Sequence, residues 1–413
     1  MGRPTPGRAG ARSQEPAAGF RLAPGFRAGA VACGLKASGA LDLALVVADG
    51  PCSAAGVFTT NAVQAAPVHY DREILARHAH EIRAVVANSG CANACTGARG
   101  MSDARRMAAL AARAVGCRDH QVLVLSTGVI GRPLEMEKVE RGIAQAGSSL
   151  TDAEALPAAR AILTTDTTEK LAGEEAALES GRIAIRGFAM GSGMIHPHMA
   201  TMLAVLTTDA QAESEALAGA LRAAVARSFN RVSVDGDMST NDTVLLLASG
   251  RSGVGIGGGG QEAFAEALTR CCVSLARAIA RDGEGATRLV EITVTGARDE
   301  RQAHQVADAI GRSALVKTAI HGGDPNWGRI LAAAGASGAA IDPAGLDLWF
   351  GSAGIEVVAA GAPAAFDERA AAAALREDPV VIRVGLGLGA AEATVWTCDL
   401  SADYVAINAH YTT

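Results

Sequence analysis

Aromatic side chains are scarce in this chain of 413 residues: Phe, Trp and Tyr together make up 3%. That scarcity excludes a stacking platform for unpaired bases. It also requires a core of small and β-branched aliphatic residues, which favours layered sheets and helices. Basic runs are missing too: the formal charge of -6 is spread along the sequence. No segment would track a phosphate backbone or an anionic membrane surface, so nucleic acid is not expected as a partner. The eight cysteines include the adjacent Cys271 and Cys272 and the short pair Cys91 and Cys95, but no CxxC unit at zinc spacing. They read as reduced, mostly buried thiols, and no metal is expected. Two long stretches lack formal charge, 50–70 and 187–208. Both contain Pro, Gly and polar side chains that a bilayer helix would have to satisfy, so a membrane span is rejected. The N-terminus carries Arg and Pro without an apolar h-region. Residues 1–20 therefore read as a disordered tail, not a secretory signal, and a cytoplasmic protein is expected.

What is present is enough apolar residue, 49% of the chain, to bury a substantial core in two or three domains. Strand-like runs alternate with helical ones. Strands are expected at 41–48, 56–60, 84–87, 122–125, 182–188, 202–206, 243–248 and 289–295, and helices at 104–115, 137–146, 213–227, 263–281, 303–312 and 326–334. Residues 393–411 read as two extended segments. The mixed order points to an α/β protein, and no 20- to 50-residue period signals a solenoid.

The densest unusual segment is GSGMIHPHMATML, residues 191–203. Its glycines and proline would hold a strained turn, small Ala200 would leave its carbonyl open, and Thr201 supplies a hydroxyl at the start of an apolar strand. Attack of that hydroxyl on the preceding carbonyl gives an ester that water hydrolyses. The product is a Thr whose own α-amine can serve as base for its hydroxyl. Taken alone the pattern favours a purely structural β-strand Thr, because Ala-Thr pairs also occur elsewhere in the chain.

The segment GSGMIHPHMATMLAVLTTDA resembles the processing site of the ornithine acetyltransferase family, the bifunctional glutamate N-acetyltransferases of arginine synthesis. NSGCANACTG (88–97), STGVIG (126–131), TTDT (164–167), SFNRVSVDGDMSTNDTVLLLASG (228–250), RDGEGATR (281–288), LVKTAIHGGDPNWGRILAAAG (315–335) and the C-terminal CDLSADYVAINAHYTT resemble family blocks in family order. The resemblance implies an α/β fold with the layered αββα architecture shared with N-terminal-nucleophile aminopeptidases. It implies cleavage between Ala200 and Thr201 into chains 21–200 (after the tail) and 201–413, paired as α2β2. It further implies ping-pong transfer of acetyl from N-acetylornithine to Thr201 and then to glutamate. Thr127 and Gly128 match the oxyanion hole. Thr164, position 190, Thr201, Glu284, Asn408 and Thr413 match substrate contacts. No prosthetic group is implied; acetyl-CoA enters as a co-substrate only if the enzyme also primes the pathway.

Three positions depart from the family pattern: Met190 stands where Lys is usual, Cys91 where Asn is more frequent, and Arg288 where Lys is usual. Met offers no positive charge to a substrate carboxylate. Hydrolysis by a related amidase or aminopeptidase, a specialised-pathway acyltransferase and a processed but non-catalytic binding protein are therefore carried as alternatives. A dinucleotide fingerprint at Gly253, Gly255 and Gly258 is weak, since no acidic strand end follows at the required distance. His196 and His198 flank a Pro without a third ligand and read as loop residues.

Overall fold

The computed structural model describes residues 19–178, 180–196 and 202–410; Ala200, Thr201, His198 and Thr413 lie outside them. The first half builds β1 (Phe26–Val31), β2 (Leu43–Phe58), α1 (Ala66–His78), β3 (Ile82–Asn88), α2 (Gly97–Val115), β4 (Val122–Ser126), α3 (Met136–Ser148), α4 (Leu156–Ala161), β5 (Lys170–Leu178) and β6 (Gly181–Met190). The second half opens with β7 (Leu203–Thr208), α5 (Ser214–Ala226), β8 (Val232–Ser233), β9 (Thr243–Ala248), α6 (Gly260–Arg281), β10 (Leu289–Ala297), α7 (Glu300–Gly311), α8 (Ala314–Gly322) and α9 (Trp327–Gly335). It closes with β11 (Asp347–Phe350), β12 (Ile355–Ala359), β13 (Ala362–Pro363), α10 (Glu368–Ala374), β14 (Val380–Gly385), β15 (Ala391–Cys398) and α11 (Ala402–His410).

The expected α/β class, with two sheets and covering helices, is observed. The first sheet runs β4-β3-β2-β9-β7-β6-β5 with β1 added beside β2, and the second runs β13-β12-β11-β14-β10-β15-β8. The central strands of the first sheet are buried on both faces, which is why they read as continuous apolar runs and not as alternating ones. Successive side chains of β6, β7 and β9 point to opposite faces. Phe188, Met190, Leu203, Val205, Leu245 and Leu247 join a core with α2, α3 and α4. Ile185, Ala189, Ala204, Leu206, Val244 and Leu246 join one with α5, α6 and the second-sheet residues Leu289 and Trp396. A third core packs α7, α8 and α10 on the other face of the second sheet.

Two expectations are corrected. β2 is one 16-residue strand where two short ones were expected; the register shifts between Val47 and Cys52, so its first half pairs with β1 and β3 and its second half with β9. The last segment is the helix α11, although its Val405 and Ile407 favour strands. Ser401 caps it, its hydroxyl accepting the Asp403 N–H at 3.1 Å and donating to Gly285 O at 2.6 Å. All eight cysteines are free, five of them buried. No helix among the described residues is long and apolar enough to cross a membrane. Gly253 to Gly258 do join a strand to a helix, but β9 lies in the first sheet and β10, after α6, in the second. The βαβ unit that a dinucleotide fold requires within one sheet is not formed.

Candidate active site

A cavity of about 280 Å³ opens where both halves of the chain meet, lined by Thr127, Gly128 and Thr164 from the first half and by Asp235, Asn241, Glu284, Tyr404 and Asn408 from the second. Four of the expected site residues from blocks far apart in sequence, Thr127, Thr164, Glu284 and Asn408, thus share one wall space.

Thr127 and Gly128 follow β4 directly. The Thr127 side chain is 1% exposed, and among the described residues its hydroxyl has no hydrogen-bond partner. A buried, unsatisfied hydroxyl is rare and calls for an explanation. Its backbone is fixed by donation from Thr127 N to Asn88 O at 3.0 Å. Gly128 has φ +123°, and a Cβ there would lie 2.4 Å from the Gly90 carbonyl carbon, so only glycine fits. Cys91 sits under this loop, bridged to Thr127 and Val129, and its thiol donates to Arg132 O at 3.3 Å. Burial pushes that thiol above its ordinary pKa, so Cys91 is a packing residue here.

Glu284 follows the C-terminus of α6 and is 8% exposed. Its backbone N donates to Ser192 O at 2.8 Å, and its Oε2 accepts from Asn408 Nδ2 at 2.8 Å. The carboxylate lies against Gly193, where a Cβ would come within 2.4 Å. The glycine of GSGM therefore makes room for Glu284. The Tyr404 phenol beside it is raised well above its usual range by burial and by the charges of Asp235 and Glu284.

The chain on either side of residues 197–201 is held by one stretch, 235–242. Asp235 Oδ2 and Oδ1 accept from Met194 N at 2.6 Å and Ile195 N at 2.8 Å, and Asp242 Oδ1 accepts from Met202 N at 3.1 Å. Burial raises the pKa of both carboxyls. Asn241 between them donates to Ala92 O at 2.6 Å and Ser126 O at 2.8 Å, tying this stretch to the Thr127 loop. His196 Nδ1 lies 3.5 Å from Ser233 Oγ.

Met190 does not line the cavity. It is fully buried, pairs with Leu203 across β6 and β7, and packs with Phe188 and Leu245. The buried cation of this region is Lys170 instead, opposite Ala189 in the neighbouring strand. Its Nζ donates to Asp166 Oδ1 and Asp282 Oδ2, each at 2.5 Å. Asp166 also accepts from Thr164 N at 3.0 Å and Gly191 N at 2.7 Å, while Asp282 accepts from Thr167 N at 2.9 Å. Burial alone would raise the Asp166 carboxyl, but the Lys170 charge and these N–H donors outweigh it and hold it below its ordinary value. This triad joins the Thr164 loop, the 191–194 turn and the chain leading to Glu284. Lys170→Met would strand two buried carboxylates, so urea unfolding should show a loss of about 3–5 kcal/mol; a loss under about 1 kcal/mol would mean the triad contributes little.

Sequence reasoning did not single out Lys170, Asp166, Asp235 or Asn241. Arg288 keeps its charge for the fold: its Nη1 donates to Ile320 O at 2.8 Å and His321 O at 3.0 Å, at the end of α8, where a cation is favoured.

Comparison with known proteins gives consistent relatives. The model of the ArgJ family matches residues 27–413. The arginine biosynthesis bifunctional protein ArgJ of Symbiobacterium thermophilum is 50% identical over 402 residues, covering 96% of this chain and 99% of its own. The protein of the same name from Thermosynechococcus vestitus is 47% identical, covering 97% and 99%. Among solved structures, ornithine acetyltransferase of Mycobacterium tuberculosis complexed with ornithine is 41% identical over 43% of this chain and 94% of that one, at a TM-score of 0.40.

Proposed function

The chain belongs to the ArgJ family, and from that membership we propose how its residues divide the work of a self-processed threonine acetyltransferase. It is an enzyme of arginine biosynthesis, a glutamate N-acetyltransferase that moves acetyl from N-acetylornithine to glutamate. In the proposal, the Thr201 hydroxyl first attacks the Ala200 carbonyl, the peptide shifts to an ester, and water releases chains ending at Ala200 and beginning at Thr201. The new α-amine of Thr201 then takes the proton of its own hydroxyl as Oγ attacks the acetyl carbonyl of N-acetylornithine. The tetrahedral oxyanion is held by the Thr127 hydroxyl and the Gly128 N–H. Collapse breaks the C–N bond, the proton passes to the leaving amine of ornithine, and acetyl-Thr201 remains. The amine of glutamate attacks that ester by the same route in reverse and leaves as N-acetylglutamate.

One observation carries this reading: the buried Thr127 hydroxyl lines the cavity without a partner among the described residues. A donor kept free of competing bonds is preorganised for charge that develops only during the reaction. Glu284, which lines the same cavity and is already bonded to Asn408, would pair with the side-chain ammonium of ornithine, with Thr164 and Thr413 at the amino-acid end. No prosthetic group or metal takes part in this scheme, and acetyl-CoA enters only as an additional acetyl donor. The two chains stay together in a cytoplasmic α2β2 assembly.

The test is intact mass before and after brief exposure to N-acetylornithine. Two chains, the second starting at Thr201 and gaining one acetyl group, are expected; labelled glutamate should then remove that group as N-acetylglutamate. Acetyl release to water with no N-acetylglutamate would instead identify a hydrolase. A smaller effect is expected at Glu284: Glu284→Gln keeps the bond with Asn408 but removes the charge. It should raise KM for N-acetylornithine by about 10- to 100-fold, in line with about 1.5–3 kcal/mol for a charge-assisted bond, and leave KM for glutamate less affected. Equal KM for N-acetylornithine in both enzymes would remove Glu284 from the ammonium site.

A further inference from the structure

Three metal-ligating side chains converge away from the cavity, on the edge of the first sheet. His78 is the last residue of α1, Glu81 immediately precedes β3, and His120 lies in the short turn 119–121 that leads into β4. The parallel register of β3 and β4, with Ala84 opposite Val122, brings the residues before both strands together at the end of α1. Glu81 Oε1 lies 2.8 Å from His78 Nδ1 and 3.6 Å from His120 Nε2. All three ligand atoms fall within 4.8 Å of one another, and the two rings face each other at 4.3 Å.

We propose that His78, Glu81 and His120 form a three-ligand site for a divalent transition ion of the zinc class, with water completing its coordination. The geometry suits it: tetrahedral bonds of about 2.0–2.2 Å place donor atoms about 3.3–3.6 Å apart, which the Glu81–His120 separation meets and the shorter Glu81–His78 separation reaches by opening about half an ångström. Two imidazoles and one carboxylate favour zinc, cobalt or nickel over calcium or magnesium. The backbone under the ligands is fixed before any ion arrives. Glu81 N donates to His78 O at 3.1 Å, Gln121 Nε2 donates to Glu81 O at 2.8 Å, and Arg118 N donates back to Gln121 Oε1 at 3.0 Å. Neighbouring guanidinium groups are engaged elsewhere: Arg77 pairs with Glu73 at 3.4 Å and Arg83 donates to Ala48 O at 3.2 Å. About a third of each ring and a quarter of the carboxylate side chain are exposed, which gives an ion a path in and leaves room for water.

The ion would tie the end of α1 to the start of β4, the strand that leads directly into Thr127. The other end of α1, whose Ala66 N donates to Asn93 O, is about 18 Å away along the helix, so the ion would brace the scaffold without touching substrate. The experiment is calorimetric titration of the chelator-treated full-length protein with zinc chloride, repeated with His78→Ala, His120→Ala and the double variant. One ion per chain is expected, along with a higher Tm at saturating zinc. Loss of an outer-shell partner alone costs 10- to 100-fold in affinity, so each single variant should weaken binding at least about tenfold and the double variant should lose the rise in Tm. Unchanged circular dichroism and transferase activity would show that the variants are folded. No saturable binding by the parent protein, or equal affinity in the double variant, overturns the proposal; Cys95→Ser, which removes the exposed thiol, should leave binding as it is.

Discussion

Thr201→Ala should yield a single uncut chain with no transfer of acetyl from N-acetylornithine to glutamate. The expectation rests on one atom: Ala lacks the Oγ that would attack both the Ala200 carbonyl during processing and the acetyl carbonyl during turnover. Background hydrolysis of an amide offers no substitute, since an activated nucleophile is what divides the difficult step into two easier ones. The substitution should leave the fold intact, because the neighbouring Met202 is anchored through its backbone N–H to Asp242. Intact mass, circular dichroism and the transfer assay together check the result. Normal cleavage in a folded Thr201→Ala protein would end the assignment of Thr201 as nucleophile. Uncut protein with residual transfer would separate the two roles, leaving Thr201 essential to processing alone. Thr201→Ser, which retains a hydroxyl, should still cut and still transfer, and it distinguishes loss of chemistry from a disturbed strand.

How much of this was legible in the sequence depends on whether the signal was local. The apolar runs of β3, β4, β7 and β9 were clear, because strands buried on both faces need apolar residues throughout. The α5 and α6 helices were equally clear. The helix α11 was misread as extended, since its β-branched Val405 and Ile407 outweighed a cap by Ser401 that depends on Gly285, more than a hundred residues earlier. The single strand β2 was read as two, because a register shift near Gly50 and Pro51 interrupts the apolar pattern without ending the strand. Resemblance drew Thr127, Thr164, Glu284 and Asn408 together before any geometry did, and the cavity then placed them on common walls.

The position whose role changed most in view of the fold is 190. In the sequence, Met190 looked like a binding site deprived of its cation. In the structure its side chain belongs to the apolar face of β6, while the buried cation comes from the adjacent strand as Lys170 and is fully engaged by Asp166 and Asp282. Lys170 and Asp166 sit in a stretch that reads as polar connection, where a Lys four residues after an Asp is usually a solvated pair. Only the pairing of β5 with β6 and the approach of the α6 terminus show that this pair is enclosed. Asp235 and Asn241 escaped notice for the same reason: their partners, Met194, Ile195, Ala92 and Ser126, are distant in sequence and offer backbone atoms, which no residue type announces.

Thr127→Val should process normally or slowly, fold as the parent does, and lose about 10²- to 10³-fold in kcat, the effect of removing one oxyanion donor, or about 2.7–4 kcal/mol of transition-state stabilisation. Valine replaces the hydroxyl with a methyl of similar shape, and because that hydroxyl has no partner among the described residues, its removal breaks no bond observed there. Stability should therefore stay level or rise slightly, since an unsatisfied buried polar atom is lost. The opposite movement of the two quantities makes the test specific. A residue that merely holds the β4 loop would lower Tm when changed and would affect KM and kcat together. An oxyanion donor lowers kcat alone, because it binds charge that exists only in the transition state. Unchanged kcat in processed Thr127→Val would leave the Gly128 N–H as the remaining donor of the pair, and its φ of +123° with the Gly90 backbone 2.4 Å from any Cβ would then be the feature that fixes the oxyanion.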